Sequence, residues 1–222
     1  MDKYSILHHV DHTMIRPDAS WEDIRKACDD AERFKCASVV VPNCYVRRVA
    51  AYTNGLLKID TLAGFPYGYN STGTKVYEAA SAIRDGANEI DMVVNVSQVK
   101  NERWDYISDE LRQMREICGG KVLKVIIETC LLTDEEKIRL CEIVSEAGAD
   151  YIKTSTGFSG PGANEHDVEL MVSHVTGGTK VKAAGGIKTF EEAERYIALG
   201  AERIGASRLC ALIKNEQAEG DY

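Results

Sequence analysis

Two lysines and an aspartate lie within or at the ends of apolar, β-branched runs, where a charged side chain needs a reason. Lys153 falls in YIKTSTG (151–157), Lys182 in KAAGGIKT (182–189) and Asp91 in EIDMVVN (89–95). Lysine and aspartate are almost never fully buried unless paired. Brought together in a dry interior, they have a definite chemistry. Burial and a neighbouring ammonium both favour the neutral amine, and a neutral amine attacks a carbonyl carbon to give a Schiff base. An ordinary lysine titrates near ~10.4, so only about four in 10⁴ are neutral at pH 7. Roughly 4 kcal/mol of environmental bias turns that into a useful nucleophile. The carboxylate supplies the balancing charge and a proton acceptor.

Two glycine-rich turns suggest the other half of a site. AAGGIKT (183–189) and IGASRL (204–209) each follow a β-type run and open a helical pattern. Backbone N–H groups at such turns hold phosphate. Gly185, Gly186 and Gly205 would let the chain approach the anion, Ser207 would donate a hydroxyl, and Lys188 and Arg208 would add charge.

These residues must be carried by regular elements, and the sequence spells them out. Strand-like runs occur at 8–13, 38–42, 58–66, 89–94, 121–128, 150–154, 180–185 and 202–206. Amphipathic helical patterns occupy 20–34, 72–86, 103–119, 133–148, 164–175 and 189–200, several ending in glycine. Alternation of buried strands with amphipathic helices predicts a parallel sheet. Eight βα units suit one closed (β/α)8 barrel (a TIM barrel) spanning residues 1–222 as a single α/β domain, with an open doubly wound sheet as the rival. A recurrence favours the barrel. DGANEID (85–91), AGADYIK (147–153) and LGAERIG (199–205) share the form x-G-A-x-x-I-X, with KCASVVV (35–41) a weaker copy. Alternate barrel strands fill one layer of inward side chains, so Val41, Asp91, Lys153 and Gly205 are expected at one height. Strand alternation then turns Lys182 toward Lys153 from the next strand.

Bulk properties narrow the partners. The net charge of −8 argues against a nucleic-acid or anionic-membrane surface, and no segment is long and apolar enough to span a membrane. The first residues lack the apolar run of a signal peptide, and the seven cysteines form no C-x-x-C pair. A reducing, cytoplasmic location is expected. His8 and His12 have helical spacing but lie in a strand-like run with no H-E-x-x-H pattern, so no metal site is expected. The polar tail ends in Tyr222, which could reach the barrel mouth as a proton relay.

Taken with VDHT (10–13), AGFPYG (63–68) and IGAS (204–207), these motifs resemble the deoxyribose-phosphate aldolase family along the whole chain. The resemblance implies reversible cleavage of 2-deoxy-D-ribose 5-phosphate to D-glyceraldehyde 3-phosphate and acetaldehyde, without metal or cofactor. It makes Lys153 the Schiff-base lysine, with Asp91 and Lys182 the proton donor and acceptor pair. Asp11 would orient that pair, and Thr156 and Gly157 would place the hydroxyl and phosphate ends of a small sugar phosphate. A homodimer is compatible with this reading. Where some members follow TSTG with lysine, this chain has Phe158, which shifts phosphate charge onto Lys188, Arg208 and backbone amides. A different sugar-phosphate barrel enzyme (transaldolase-like, or an isomerase) and a non-enzymatic sugar-phosphate binder are the alternatives.

Overall fold

The computed structural model describes residues 1–214, so the proposed relay at Tyr222 lies outside the described residues. Eight parallel strands close into a barrel in chain order: β1 (Val10–Thr13), β2 (Ser38–Val40), β3 (Ile59–Ala63), β4 (Glu89–Val93), β5 (Val122–Ile126), β6 (Tyr151–Lys153), β7 (Lys180–Ala184) and β8 (Ala201–Ala206). Pairing of β8 with β1 rules out the open sheet. The helices are α1 (Lys3–Leu7), α2 (Trp21–Arg33), α3 (Val46–Thr53), α4 (Thr72–Asp85), α5 (Val96–Lys100), α6 (Trp104–Cys118), α7 (Asp134–Glu146), α8 (Glu165–His174), α9 (Phe190–Ala198) and α10 (Leu209–Ile213).

Local signals mark where three of the six sequence-predicted helices start. Capping boxes open α2 (Ser20 with Asp23), α7 (Thr133 with Glu136) and α9 (Thr189 with Glu192), each satisfying otherwise orphaned N–H groups. The helix after β2 escapes the sequence reading. α3 runs on from a 3-10 turn, and its N-terminal Tyr45 makes no side-chain cap. Outward strand residues such as Val39, Val41, Ile90, Met92, Val125 and Ile152 pack against the helices as one continuous core. A separate small cluster, Ile15, Val40 and Leu62 with Phe65, lies on the opposite, inward face.

The recurrence holds, with one shift in register. Gly86 and Gly200 adopt left-handed φ values of 114° and 105°, and Gly148 adopts 69°. Five residues after each come Asp91, Gly205 and Lys153. In the fourth copy the left-handed residue is Lys35, with φ 53°, rather than Cys36. Cys36 N donates to Ala31 O just as Ala87 N donates to Ala82 O. The inward residue is therefore Val40, and Val41 faces the helices. Because the expectation took the left-handed position from the glycine alignment alone, it misplaced Val41 by one, which flips a strand residue to the other face.

Candidate active site

The layer just below that height is entirely charged. Strand register places Asp11 opposite Gly205, Asp60 opposite Val40, Lys124 opposite Asp91, and Lys182 opposite Lys153. Asp11, Asp60, Lys124 and Lys182 thus come from the four odd strands, and all are fully buried. Barrel layers of this kind are ordinarily filled by branched apolar residues. Isolated charges could not persist there, and these do so because they face one another.

The geometry centres on Asp91. Its Oδ2 accepts from Lys153 Nζ at 2.7 Å and from Lys182 Nζ at 2.7 Å, while its Oδ1 accepts from Lys124 Nζ at 2.8 Å. The predicted trio therefore meets on a single carboxylate. Asp11 is there too, but it grips Lys182 (2.5 Å), Arg203 (2.5 Å) and the Ser38 hydroxyl (2.6 Å) rather than Lys153. Lys124 also contacts Asp60 at 2.6 Å and Glu89 at 2.7 Å. Asp11, Asp60 and Glu89 approach one another closely enough to suggest a cation site, and the cation among them is this lysine's ammonium. A second such group, Asp134, His166 and Asp167, likewise surrounds Lys137, 2.6 Å from Asp167.

Electrostatics separate the two lysines that share Asp91. Burial pulls the Lys153 amine below the ordinary lysine value, with Lys182 reinforcing the pull and Asp91 opposing it. Lys182 is subject to the same burial, yet Asp11 and Asp91 outweigh it and hold it cationic. Burial also opposes ionisation of Asp91, but Lys124, Lys153 and Lys182 overcome that and keep its carboxyl well below the usual range. One lysine is thus biased toward the free base while its neighbour stays charged, as nucleophile activation by a second cation requires.

Above the ring, a cavity of about 320 Å³ opens among the last three strand ends. Gly157, Gly186, Lys188, Gly205, Ser207 and Arg208 line it, joined by the 160–162 turn. Thr156 and Gly185 do not. The Thr156 hydroxyl donates to Glu128, whose carboxylate also accepts from Thr156 N at 3.1 Å and from the Ser159 hydroxyl at 3.0 Å. Gly185 serves a close approach of two loops instead: its φ of 88° is left-handed and a Cβ on it would lie 3.0 Å from Gly162 Cα, while a Cβ on Gly162 would lie 2.1 Å from Gly185 O. Of the two glycine turns, only the second presents an uncapped helix start. Glu192 closes the first by accepting from Lys188 N and Thr189 N, whereas α10 has no side-chain cap. Phe158 packs its ring edge-on against Phe65 at 5.2 Å.

Sequence reasoning missed Lys124, Asp60, Glu89, Arg203 and Glu128. The signal was present for the first four. Each is a charged residue inside a β-branched run, and Glu89 and Arg203 stand two before Asp91 and Gly205, on the same face by strand alternation. Glu128 ends the strand-like run 121–128, but it sits past β5 in a left-handed conformation with φ 55°, so strand alternation does not give its direction.

Known proteins resemble this chain along nearly its whole length. Residues 5–212 match the model of the DeoC/LacD family aldolases. A deoxyribose-phosphate aldolase of Clostridium botulinum (strain Eklund 17B / Type B) is 49% identical over 220 residues, covering 99% of this chain and 100% of the relative. One from Clostridioides difficile (strain 630) is 50% identical over 217 residues, covering 98% and 99%. Among solved structures, the tetrameric deoxyribose phosphate aldolase from Aeropyrum pernix superposes with a TM-score of 0.90 at 28% identity, covering 96% of this chain and 92% of that one.

Proposed function

This chain belongs to the DeoC/LacD family of aldolases, and from that premise we propose that it reversibly cleaves 2-deoxy-D-ribose 5-phosphate to D-glyceraldehyde 3-phosphate and acetaldehyde. The observation that carries the mechanism is the pair of lysine ammonium nitrogens on one oxygen of Asp91, each at 2.7 Å. Lys153, the member that burial biases toward the free amine, attacks the open-chain aldehyde carbon. Loss of water leaves an iminium that draws electrons from the C2–C3 bond. As that bond breaks, the C3 hydroxyl loses its proton and glyceraldehyde phosphate departs. The enamine is then protonated at carbon, and hydrolysis releases acetaldehyde and restores Lys153. Lys182 stays cationic, helps keep Lys153 neutral and relays protons. Asp91 is too weak a base, with three lysines on it, to keep a proton. It passes protons along.

The phosphate binds in the 320 Å³ cavity. Backbone amides near Gly186 and Gly205, the Ser207 hydroxyl, and the charges of Lys188 and Arg208 hold it, with Gly157 on the facing side. Glu128 fixes the loop that carries Thr156 and Gly157. A single barrel domain carries the whole reaction, with every step assigned to side chains of this chain. The tetramer named for the Aeropyrum pernix relative supports self-association here, with a homodimer as the smallest form. Free thiols at all seven cysteines suit the reducing cytoplasm.

Borohydride reduction in the presence of acetaldehyde tests the reading. It should leave a two-carbon adduct on Lys153, found by peptide mass mapping. A Lys153→Leu variant that still cleaves the substrate, or wild-type protein with no adduct at Lys153, would overturn it.

A further inference from the structure

The charged ring contains more groups than the reaction uses, and its proton count raises a question. Asp11, Asp60, Glu89 and Asp91 face Lys124, Lys153, Lys182 and Arg203. Fully ionised, four negative charges meet four positive ones. A neutral Lys153, which nucleophilic attack demands, leaves the buried cluster with one uncompensated negative charge. Such a charge is costly away from water, so the proton that leaves Lys153 has reason to stay inside the cluster.

The carboxyls differ in their capacity to accept it. Three lysines hold Asp91. Asp11 is held by Lys182, Arg203 and Ser38. Glu89 receives Lys124 and Arg203. Asp60 is the exception. Its cationic partners, Lys124 at 2.6 Å and Lys182 at 3.5 Å, both contact Oδ2. Among the described residues its Oδ1 is buried without a hydrogen-bond partner; Asp11 Oδ2 makes no hydrogen bond either, but it has the Lys182 ammonium 2.5 Å away. An unpaired buried carboxylate oxygen is expensive to leave ionised, and protonating it removes that cost.

We infer that Asp60 is the proton store of this active site: it holds the proton given up by Lys153 and returns it for the water lost on imine formation. This deepens the Schiff-base reading and rests on it. The path is continuous. Lys182 hands one ammonium proton to Asp60 and is refilled from Lys153 through Asp91, the lysine nitrogens both lying 2.7 Å from Asp91 Oδ2. The balance closes. A neutral amine, an aldehyde and one proton give an iminium and one water, so Asp60 changes from acid to carboxylate as Lys153 gains a fixed positive charge. The cluster is neutral before and after. Burial, and then the Asp91 charge, push the Asp60 carboxyl up to about 7, against Lys124 and Lys182, which makes a protonated form accessible at neutral pH.

Infrared difference spectroscopy tests this directly. The spectrum of the enzyme with acetaldehyde minus the enzyme alone, near pH 7.5, should show loss of a protonated-carboxyl C=O band. That band should move when the protein is labelled with [4-¹³C]aspartate, and Asp60→Asn should abolish it. The labelled wild type suffices even if the variant folds poorly. Borohydride trapping runs on the same samples. An adduct on Lys153 without loss of an aspartic-acid band, or a lost band that persists in Asp60→Asn, would overturn the proton store and leave the aldolase reading intact. Absence of any adduct would overturn the aldolase reading and, with it, the role of Asp60 as an imine proton store.

Discussion

Two of the places where this protein buries charge serve different ends. Outside the barrel, between α4 and α6, Lys75 pairs with Glu110 at 2.8 Å and also donates to Val93 O at 2.8 Å, with neither side chain exposed. Inside the barrel, three lysines and four carboxylates crowd one another, and Asp91 Oδ2 serves two ammonium groups. The outer pair is closed, in that each charge has a dedicated partner and no proton has elsewhere to go. In the inner cluster acceptors are shared between ammonium groups, and this sharing is the difference, since among the described residues a buried carboxylate oxygen without a hydrogen bond occurs both there, at Asp60 Oδ1, and in the outer pair, at Glu110 Oε2. The first arrangement fastens two helices to a strand end. Only the second lets protons be redistributed at little cost, which is what a reaction with several proton transfers needs.

Breaking the two clusters should therefore give opposite phenotypes. The largest effect falls on chemistry. Lys153→Leu should lower kcat by at least about 10⁴-fold, as removal of a covalent nucleophile does, with little change in melting temperature. Turnover and thermal unfolding measured on one preparation check this; a large stability loss with residual turnover would contradict it. Next comes Lys75→Met, expected to cost about 3–5 kcal/mol in denaturant unfolding because it strands the buried Glu110. The surviving folded enzyme should keep its kcat. Adding Glu110→Leu should recover most of that stability, since a closed pair can be exchanged for apolar packing.

The contrast was only half legible in the residues themselves. Lys153 and Lys182 announced themselves by sitting beside glycine-rich loops, and the helix-capping glycines set the height of Asp91, Lys153 and Gly205. Lys124 and Asp60 lie mid-strand with no loop to mark them, and reading them requires knowing that neighbouring odd strands bring them to one layer. Val41 was misplaced because Lys35, not a glycine, takes the left-handed turn. The roles of Glu128 and of Glu192 depend on side chains folding back onto backbone N–H groups, which spacing alone did not reveal for Glu128. The fold followed from pattern, while the distribution of charge followed from packing.

Lys182 sharpens the comparison within the ring. Lys182→Met should lower kcat by about 10² and raise the apparent pKa for imine formation at Lys153, because a like charge no longer favours the free amine. Rates of borohydride-trapped imine formation across pH give that value. If it stays put, burial alone neutralises Lys153 and the second lysine serves only as a relay.

The last effect concerns stability against pH, shallow at any one pH, and it separates Asp60 from Asp11 and Asp91 in the same ring. The folded value for Asp60 is raised from 3.8 to about 7. Between those two values the folded protein binds a proton at Asp60 that the unfolded chain does not. Stability from this group therefore falls as pH rises, by at most about 1.4 kcal/mol per pH unit. Asp11 and Asp91 are lowered in the fold, so they are ionised in both states across this window and contribute no slope. Burial lowers His12 from 6.5 to about 4, which gives a slope of the opposite sign over most of the same range and masks Asp60 in the wild type. The difference between Asp60→Asn and wild type removes that mask, since His12 and the Lys75–Glu110 pair are common to both. The variant should gain stability relative to wild type from about pH 4 to about pH 7 and then level off. Urea unfolding at half-unit pH steps measures this, and a flat difference would mean that Asp60 stays ionised in the fold, as closed as the outer pair.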